Sequence, residues 1–269
     1  MNLNTLKFDR QDSIGLLTLN RPDRLNAITL ESIVELRDFF AEMQNDYETR
    51  VIILRGAGRA FCAGLDLKAD VFEPADNNTL GMLQFRYKIQ QIFSNTVINM
   101  RRCPQPIIAV VRGAASGAGF SLTLACDARI AGQSARFNAA FIRVGLTGGD
   151  MGSSYFLPRL IGLARATEYL MTGRFIDAAT AEKIGLISQM VPDDQADACG
   201  IELARDMLRN SPWGLRMTKE LLGANLNAPG IESALHMENR SQVLCMSTED
   251  FTEGTTAFLE KRNPSYKGR

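Results

Sequence analysis

At 269 residues with 45% hydrophobic side chains, the chain is long enough for one α/β domain with a sizeable core, alone or with a helical extension. Thirty basic residues balance thirty acidic ones, so no net charge points to nucleic acid, a membrane surface or a polyanionic partner. Five scattered cysteines (Cys62, Cys103, Cys126, Cys199, Cys245) without a Cys-x-x-Cys pair suit neither a disulfide framework nor a zinc site, and a single histidine, His236, excludes a histidine-rich metal centre.

The beginning of the chain carries no apolar leader segment, and no run approaches the ~18 apolar residues of a membrane span, so a cytoplasmic protein is expected. In chain order, 14–19 reads as a first strand, ended by Asn20-Arg21-Pro22. Thr29 then has the character of an N-cap for a helix to about Tyr47, with Ile33, Leu36, Phe39, Phe40 and Met43 at helical spacing. A buried strand at 51–55 leads into the small-residue loop 61–68, which is expected to end at a helix start capped by Asp66. The segment 70–79, with Pro74, Asp76, Asn77 and Asn78, has turn composition and is the candidate lid. A long helix over 80–101 stops before Cys103-Pro104-Gln105-Pro106.

An apolar β-branched run at 106–111 follows, then a glycine and alanine turn with Ser116, then an amphipathic helix from about Gly119. Strands at 128–131 and 136–138 and the loop Gly145-Leu146-Thr147-Gly148-Gly149-Asp150-Met151-Gly152 come next. Beyond Ser153 the pattern is mostly helical, with helices near 193–210, 212–226, 231–245 and 249–261. An α/β core at 1–190 with a helical region at 191–269, capping it or packing on a neighbour, is the expected organisation. His236 falls in the third of those helices, where a surface or interface role is expected.

The turn at 113–119 carries the first chemical signal. A strand feeding a helix leaves the first helical N–H groups unpaired and aimed at one point, and Gly117 and Gly119 clear side chains from it. A dinucleotide fingerprint would need glycine where Leu122 stands, and no Gly-Lys-Ser/Thr phosphate loop is present. A substrate oxyanion fits better, because acyl chemistry needs preorganised N–H donors where negative charge develops. A tight connection with small residues for packing is the plain alternative. The loop at 61–68 is a second strand end of the same kind, able to supply the other donor.

Taken together, these two stretches resemble the crotonase superfamily, the enoyl-CoA hydratase and isomerase group. Leu19-Asn20-Arg21-Pro22-Asp23-Arg24-Leu25-Asn26-Ala27, Gly162-Leu163-Ala164-Arg165-Ala166, Leu170-Met171-Thr172-Gly173-Arg174, Ala181-Glu182-Lys183-Ile184-Gly185-Leu186-Ile187 and Phe258-Leu259-Glu260-Lys261-Arg262 agree with it in order. The resemblance implies an α/β spiral of repeated ββα units with a C-terminal helical extension, assembled as a homotrimer or hexamer. It implies an acyl-CoA substrate, with coenzyme A carried by the substrate and no separate cofactor or metal. The thioester oxygen would lie between the backbone N–H groups of Leu65 and Ala118. Coenzyme A contacts would fall on Arg24, Leu25, Ala63, Asp66, Leu67, Lys68, Phe258 and Lys261. Without the family, Arg24, Lys68 and Lys261 read as solvated surface charges.

The chain departs from the hydratase pattern at both catalytic glutamates, whose places fall on Ser121 and Phe141. Ser121 without an adjacent base offers a hydrogen bond only, so syn-hydration by two glutamates is not implied. Phenylacetate-pathway enoyl-CoA isomerases resemble the chain here. They lack both glutamates, keep Phe-x-x-Ala-Phe as in Phe137-Asn138-Ala139-Ala140-Phe141, and carry an aspartate in the following loop, one residue nearer its Gly-Leu than Asp150 is to Gly145-Leu146. Asp150 is therefore the expected single acid/base for an allylic double-bond shift through an enolate, with an N-cap on a helix from Met151 as its alternative. Asp127 is expected to tie the sheet edge, and Glu73 is a reserve acid in the lid. Leu65, Phe72, Phe120, Phe141 and Met151 suggest an apolar acyl pocket, or core packing. Hydration with a non-standard acid/base set and non-catalytic acyl-CoA binding are the competing functions.

Overall fold

The computed structural model describes residues 3–69, 71–74 and 78–269. A six-stranded sheet holds β1 (Leu6–Gln11), β2 (Ile14–Leu19), β3 (Val51–Gly56), β4 (Ile107–Val111), β6 (Ala128–Gly132) and β9 (Gln189–Val191) side by side in that order. β1 and β2 pair antiparallel, and every later neighbour is parallel. A second layer is made by β5 (Ala114–Ser116), β7 (Arg136–Asn138) and β8 (Ile176–Asp177). It continues through the single bridges Cys62 to Ala115 and Ile28 to Leu65.

The two layers result from one unit repeated. β2 leads to the bridge at Ile28 and then α1 (Leu30–Glu42), and β3 leads to residues 62–65 and then α2 (Met82–Arg102). β4 leads to β5 and α3 (Ala118–Ala125), and β6 to β7 and α4 (Ser153–Ile161). Four turns of a ββα spiral are thereby stacked in register, as the resemblance implied.

Parallel strands buried on both faces should be apolar without alternation, and β3 and β4 are. Ile52, Leu54, Ile107, Ala109 and Val111 face the main core with α1, α2 and α3. Val51, Ile53, Ile108 and Val110 face the other way, onto α7 (Ala196–Leu208). Gly200 permits that approach, since a Cβ there would stand 2.5 Å from Val110 Cγ2. The line at 190/191 passes through β9, and α7 packs with the sheet, so the core extends to about Leu208.

The remaining helices are α5 (Leu163–Thr172), α6 (Ala178–Lys183), α8 (Pro212–Asn225), α9 (Ile231–Met246) and α10 (Glu249–Glu260). Lys219 pins α8 to the core: its buried ammonium donates to the carbonyls of Met100 and Gln105 and pairs with Asp127 at 2.8 Å. His236 lies exposed on α9, none of whose residues is buried.

Several sequence expectations are corrected. The first strand is β1, because 6–11 pairs antiparallel with β2 along its whole length. Ala114–Ser116 is a strand rather than part of a turn, its pairing supplied by Asn138 and its neighbours. α3 is not amphipathic, since every one of its residues is buried. Among the described residues no helix starts at the end of the 61–68 loop: 66–69 is a turn in which Asp66 Oδ1 accepts from Lys68 N–H at 3.2 Å, and the next described helix starts at Met82. Asp127 sits between inner strands, where Oδ2 accepts from Ile107 N–H at 2.8 Å. Thr29 caps α1 as read, accepting from Ser32 N–H.

Candidate active site

The loop after β3 lies directly on the β5–α3 turn. Cys62 N–H donates to Ala114 at 2.8 Å, and Ser116 N–H donates back to Cys62 at 2.9 Å. Two glycine positions show how close the backbones come. A Cβ on Gly119 would stand 2.5 Å from the Cys62 carbonyl oxygen, and one on Gly64, where φ is +100°, would be 3.0 Å from that of Ser116. Gly117 holds φ +50° and ψ −119°, a conformation that side chains resist, and this turns the chain into α3.

Leu65 directly follows Gly64, and Ala118 lies between Gly117 and Gly119. The bridge to Ile28 uses Gly64 C=O and Asp66 N–H, which leaves the Leu65 amide on the opposite side, and Ala118 opens α3 before intrahelical partners exist. Among the described residues neither amide has an acceptor. Phe141 supplies a wall, since a Cβ on Gly117 would lie 3.5 Å from its ring.

The loop carrying Asp150, from the next turn of the spiral, meets α3 at Ser121. Ser121, one helical turn beyond Gly117, donates from Oγ to the Asp150 carbonyl at 2.9 Å and is wholly buried. That hydrogen bond anchors the loop main chain and leaves Ser121 without a free hydroxyl proton for chemistry. The Asp150 carboxyl accepts at Oδ1 from Met151 N–H at 2.7 Å and from Gln90 Nε2, on α2, at 2.5 Å. α4 begins at Ser153, and neither of those donors is an α4 amide, so Asp150 is not its cap. Burial pushes the proton affinity of Asp150 above the usual carboxylate range, against the opposing hydrogen bonds from Met151 and Gln90. Met151 holds φ +48°, a costly conformation for an unbranched side chain beside this carboxyl.

The expected coenzyme A residues divide into two groups. Arg24, Leu25, Ala63, Asp66, Leu67 and Lys68 come together: Ala63 N–H donates to Leu25 at 3.0 Å, and Arg21 pairs with Asp66 at 3.0 Å, holding the carboxyl below its ordinary range despite partial burial. Arg24, Leu67 and Lys68 are exposed. Phe258 and Lys261 stand apart, on and just after α10, where Phe258 lines a depression with Phe251, Leu259 and Tyr266. Of the candidate lid, residues 70 and 75–77 lie outside the described residues. Glu73 is exposed and paired with Arg86 at 2.9 Å, which commits its carboxylate. The thiols of Cys62, Cys103 and Cys126 are buried and pushed up to about 12, 11 and 12, so they stay protonated.

Gln90 escaped the sequence reading. It sits beside the buried stripe Ile89, Phe93 and Val97, and only that adjacency, on a helix full of polar residues, hinted at an inward role. A cavity of about 920 Å³ lies behind Met151 between α2, α4 and α8, lined among others by Ser94, Val97, Phe156 and Lys219.

Comparison with known proteins agrees over nearly the whole chain. The enoyl-CoA hydratase/isomerase family model matches residues 9–269. The "Probable enoyl-CoA hydratase echA12" of Mycobacterium bovis is 39% identical over 94% of this chain and 89% of its own. The 1,2-epoxyphenylacetyl-CoA isomerase of Escherichia coli K12 is 35% identical over 96% and 97%. The crystal structure of an enoyl-CoA hydratase from Bacillus anthracis superposes with a TM-score of 0.91 at 34% identity, covering 99% of this chain and 100% of that one. The chain belongs to the enoyl-CoA hydratase/isomerase family.

Proposed function

We propose that the protein moves the double bond of an enoyl-CoA thioester, with Asp150 as its single acid/base and the amides of Leu65 and Ala118 as its oxyanion hole. The carboxylate takes a proton from C2 of a 3-enoyl thioester. The electron pair spreads into the carbonyl as a dienolate, whose oxygen the two amides stabilise. Reprotonation at C4 yields the 2-enoyl isomer and restores the carboxylate. The observation that carries this reading is the half-buried Asp150, tied through Ser121 to the helix whose first amide is Ala118.

Arg24, Leu25, Ala63, Asp66, Leu67 and Lys68 would hold the coenzyme A portion, and the acyl chain would run past Phe141 and Met151 towards the cavity behind. Phe258 and Lys261 would reach the coenzyme A moiety across an interface between copies, consistent with a homotrimer or hexamer. A cytoplasmic location and a reaction without a separate cofactor complete the proposal.

Hydration is the second reading, favoured by the hydratase names of several relatives. It would require one carboxyl group to manage the water, because Ser121 and Phe141 replace both glutamates. Incubation of 2-enoyl and 3-enoyl thioesters in deuterated buffer separates the two by mass. Isomerisation interconverts the isomers with proton exchange and no gain of water. A hydrated product as the main outcome would overturn it.

A further inference from the structure

The Asp150 carboxyl is held unevenly. Both of its donors, Gln90 Nε2 and Met151 N–H, converge on Oδ1. Oδ2 has no partner among the described residues, yet it is not sealed off: the enclosed, unpartnered side-chain atoms are Arg50 Nε, Asn138 Oδ1 and Asp197 Oδ1. A carboxylate has room for about four hydrogen bonds. Two on one oxygen and none on the other therefore distinguish the oxygens.

The main chain beneath is clamped. Ser121 Oγ donates to the Asp150 carbonyl, Asp150 N–H donates to Ser153 Oγ, and Ser153 N–H donates back to the Asp150 carbonyl. The carboxyl can still rotate about its Cβ–Cγ bond, and the Met151 amide would serve either oxygen. Among the described residues Gln90 is the one side-chain donor that reaches it. Its helix is itself fixed on α1, where Thr96 Oγ1 donates to Ile33 and Asn99 Nδ2 donates to Arg37. Around the carboxyl, α2, α3 and the start of α4 present Gln90, Ser121 and Ser153, and no charged side chain among the described residues takes part in setting its proton affinity.

We infer that Gln90 is a positioning residue that assigns the two carboxyl oxygens their roles, Oδ1 as the anchored acceptor and Oδ2 as the atom that carries the substrate proton. The inference rests on the reading of Asp150 as acid/base and deepens it. In the forward step the C2–H bond breaks and an O–H bond forms on Oδ2. In the return step that O–H bond breaks and a C4–H bond forms, so Gln90 gives up no proton. One oxygen serving both carbons delivers hydrogen to the same face from which it was taken. Part of any label removed from C2 reappears at C4.

Gln90→Met, of similar length but without a donor, is the test. Loss of a donor that favours the anion moves the acid limb of kcat to higher pH, and the 13C-detected titration of the Asp150 carboxyl follows it without need of substrate. A roughly tenfold fall in kcat with KM within about threefold, and at least a halving of deuterium carried from C2 to C4, are expected. A merely structural glutamine would change stability or KM and leave the limb, the titration and the label transfer in place, and that result overturns the inference. Asp150→Asn run alongside separates the two claims. If that variant keeps its turnover, the acid/base reading itself falls; if it is inactive while Gln90→Met titrates as the parent does, only the role of Gln90 falls. Should Gln90→Met fail to fold, Gln90→Glu places a second carboxyl against Oδ1, and an unmoved titration there is equally fatal.

Discussion

Burial raises the proton affinity of Asp150 in the folded protein, and this has consequences for activity and for stability. For activity, Asp150→Asn should cost about 10²–10⁴ in kcat, the usual worth of a positioned acid/base, while a non-reactive acyl-CoA analogue still binds in calorimetry. For stability, the sign follows from linkage. A carboxyl whose folded proton affinity exceeds its unfolded one favours the fold at low pH, and that contribution is lost as pH rises through the raised value. Asp150→Asn removes the penalty for burying the anion. Its melting temperature should exceed the parent's at pH 8, and the gap should close towards pH 4. A variant less stable than the parent at pH 8 would contradict the burial argument.

Among the elements, the β5–α3 turn is where geometry is tightest. A methyl group added at Gly119 meets the carbonyl oxygen, Cβ and Sγ of Cys62 at 2.5–2.9 Å, so α3 and the 62–65 loop must part. Gly119→Ala should then lose activity on the scale of one oxyanion donor, about 10²–10³-fold in kcat/KM, with a smaller effect on the binding of free coenzyme A. At α8 the argument is energetic. Lys219→Met leaves two buried carbonyls without their donor and Asp127 with Arg101 as its remaining ion partner, a cost of about 2 kcal/mol in urea unfolding.

Legibility in the sequence varied from element to element for physical reasons. β3 and β4 were plain because both of their faces are buried and their residues are β-branched. α8, α9 and α10 were found to within a residue or two of their ends. β5, β8 and β9 are two or three residues long, and neighbouring strands rather than local preference make them strands. The supposed helix after Leu65 failed because Asp66 closes a turn through Lys68 and pairs with Arg21. Asp150 could be picked from its loop, whereas Gln90 could not, since its partner lies sixty residues away.

For the molecule as a whole, α8, α9 and α10 and the turns beside them carry several exposed apolar side chains. Leu222, Leu226, Ile231, Val243, Leu244, Phe258 and Leu259 are each at least 60% exposed. Sedimentation equilibrium should give three or six times 29.7 kDa, and Val243→Asp should lower that mass; a monomeric parent would remove the assembly proposal and with it the role suggested for Phe258 and Lys261. The loops of the candidate site have a different consequence. Their spacing is secured by main-chain hydrogen bonds at Cys62, Ala114 and Ser116, and the two amides they present belong to the backbone. On the chemistry proposed above, the side chains expected along the acyl path, Leu65, Phe141 and Met151, could accordingly be exchanged during evolution without disturbing those two amides. Under that proposal, descendants of this scaffold would inherit the activation of the thioester and remain free to change its clientele.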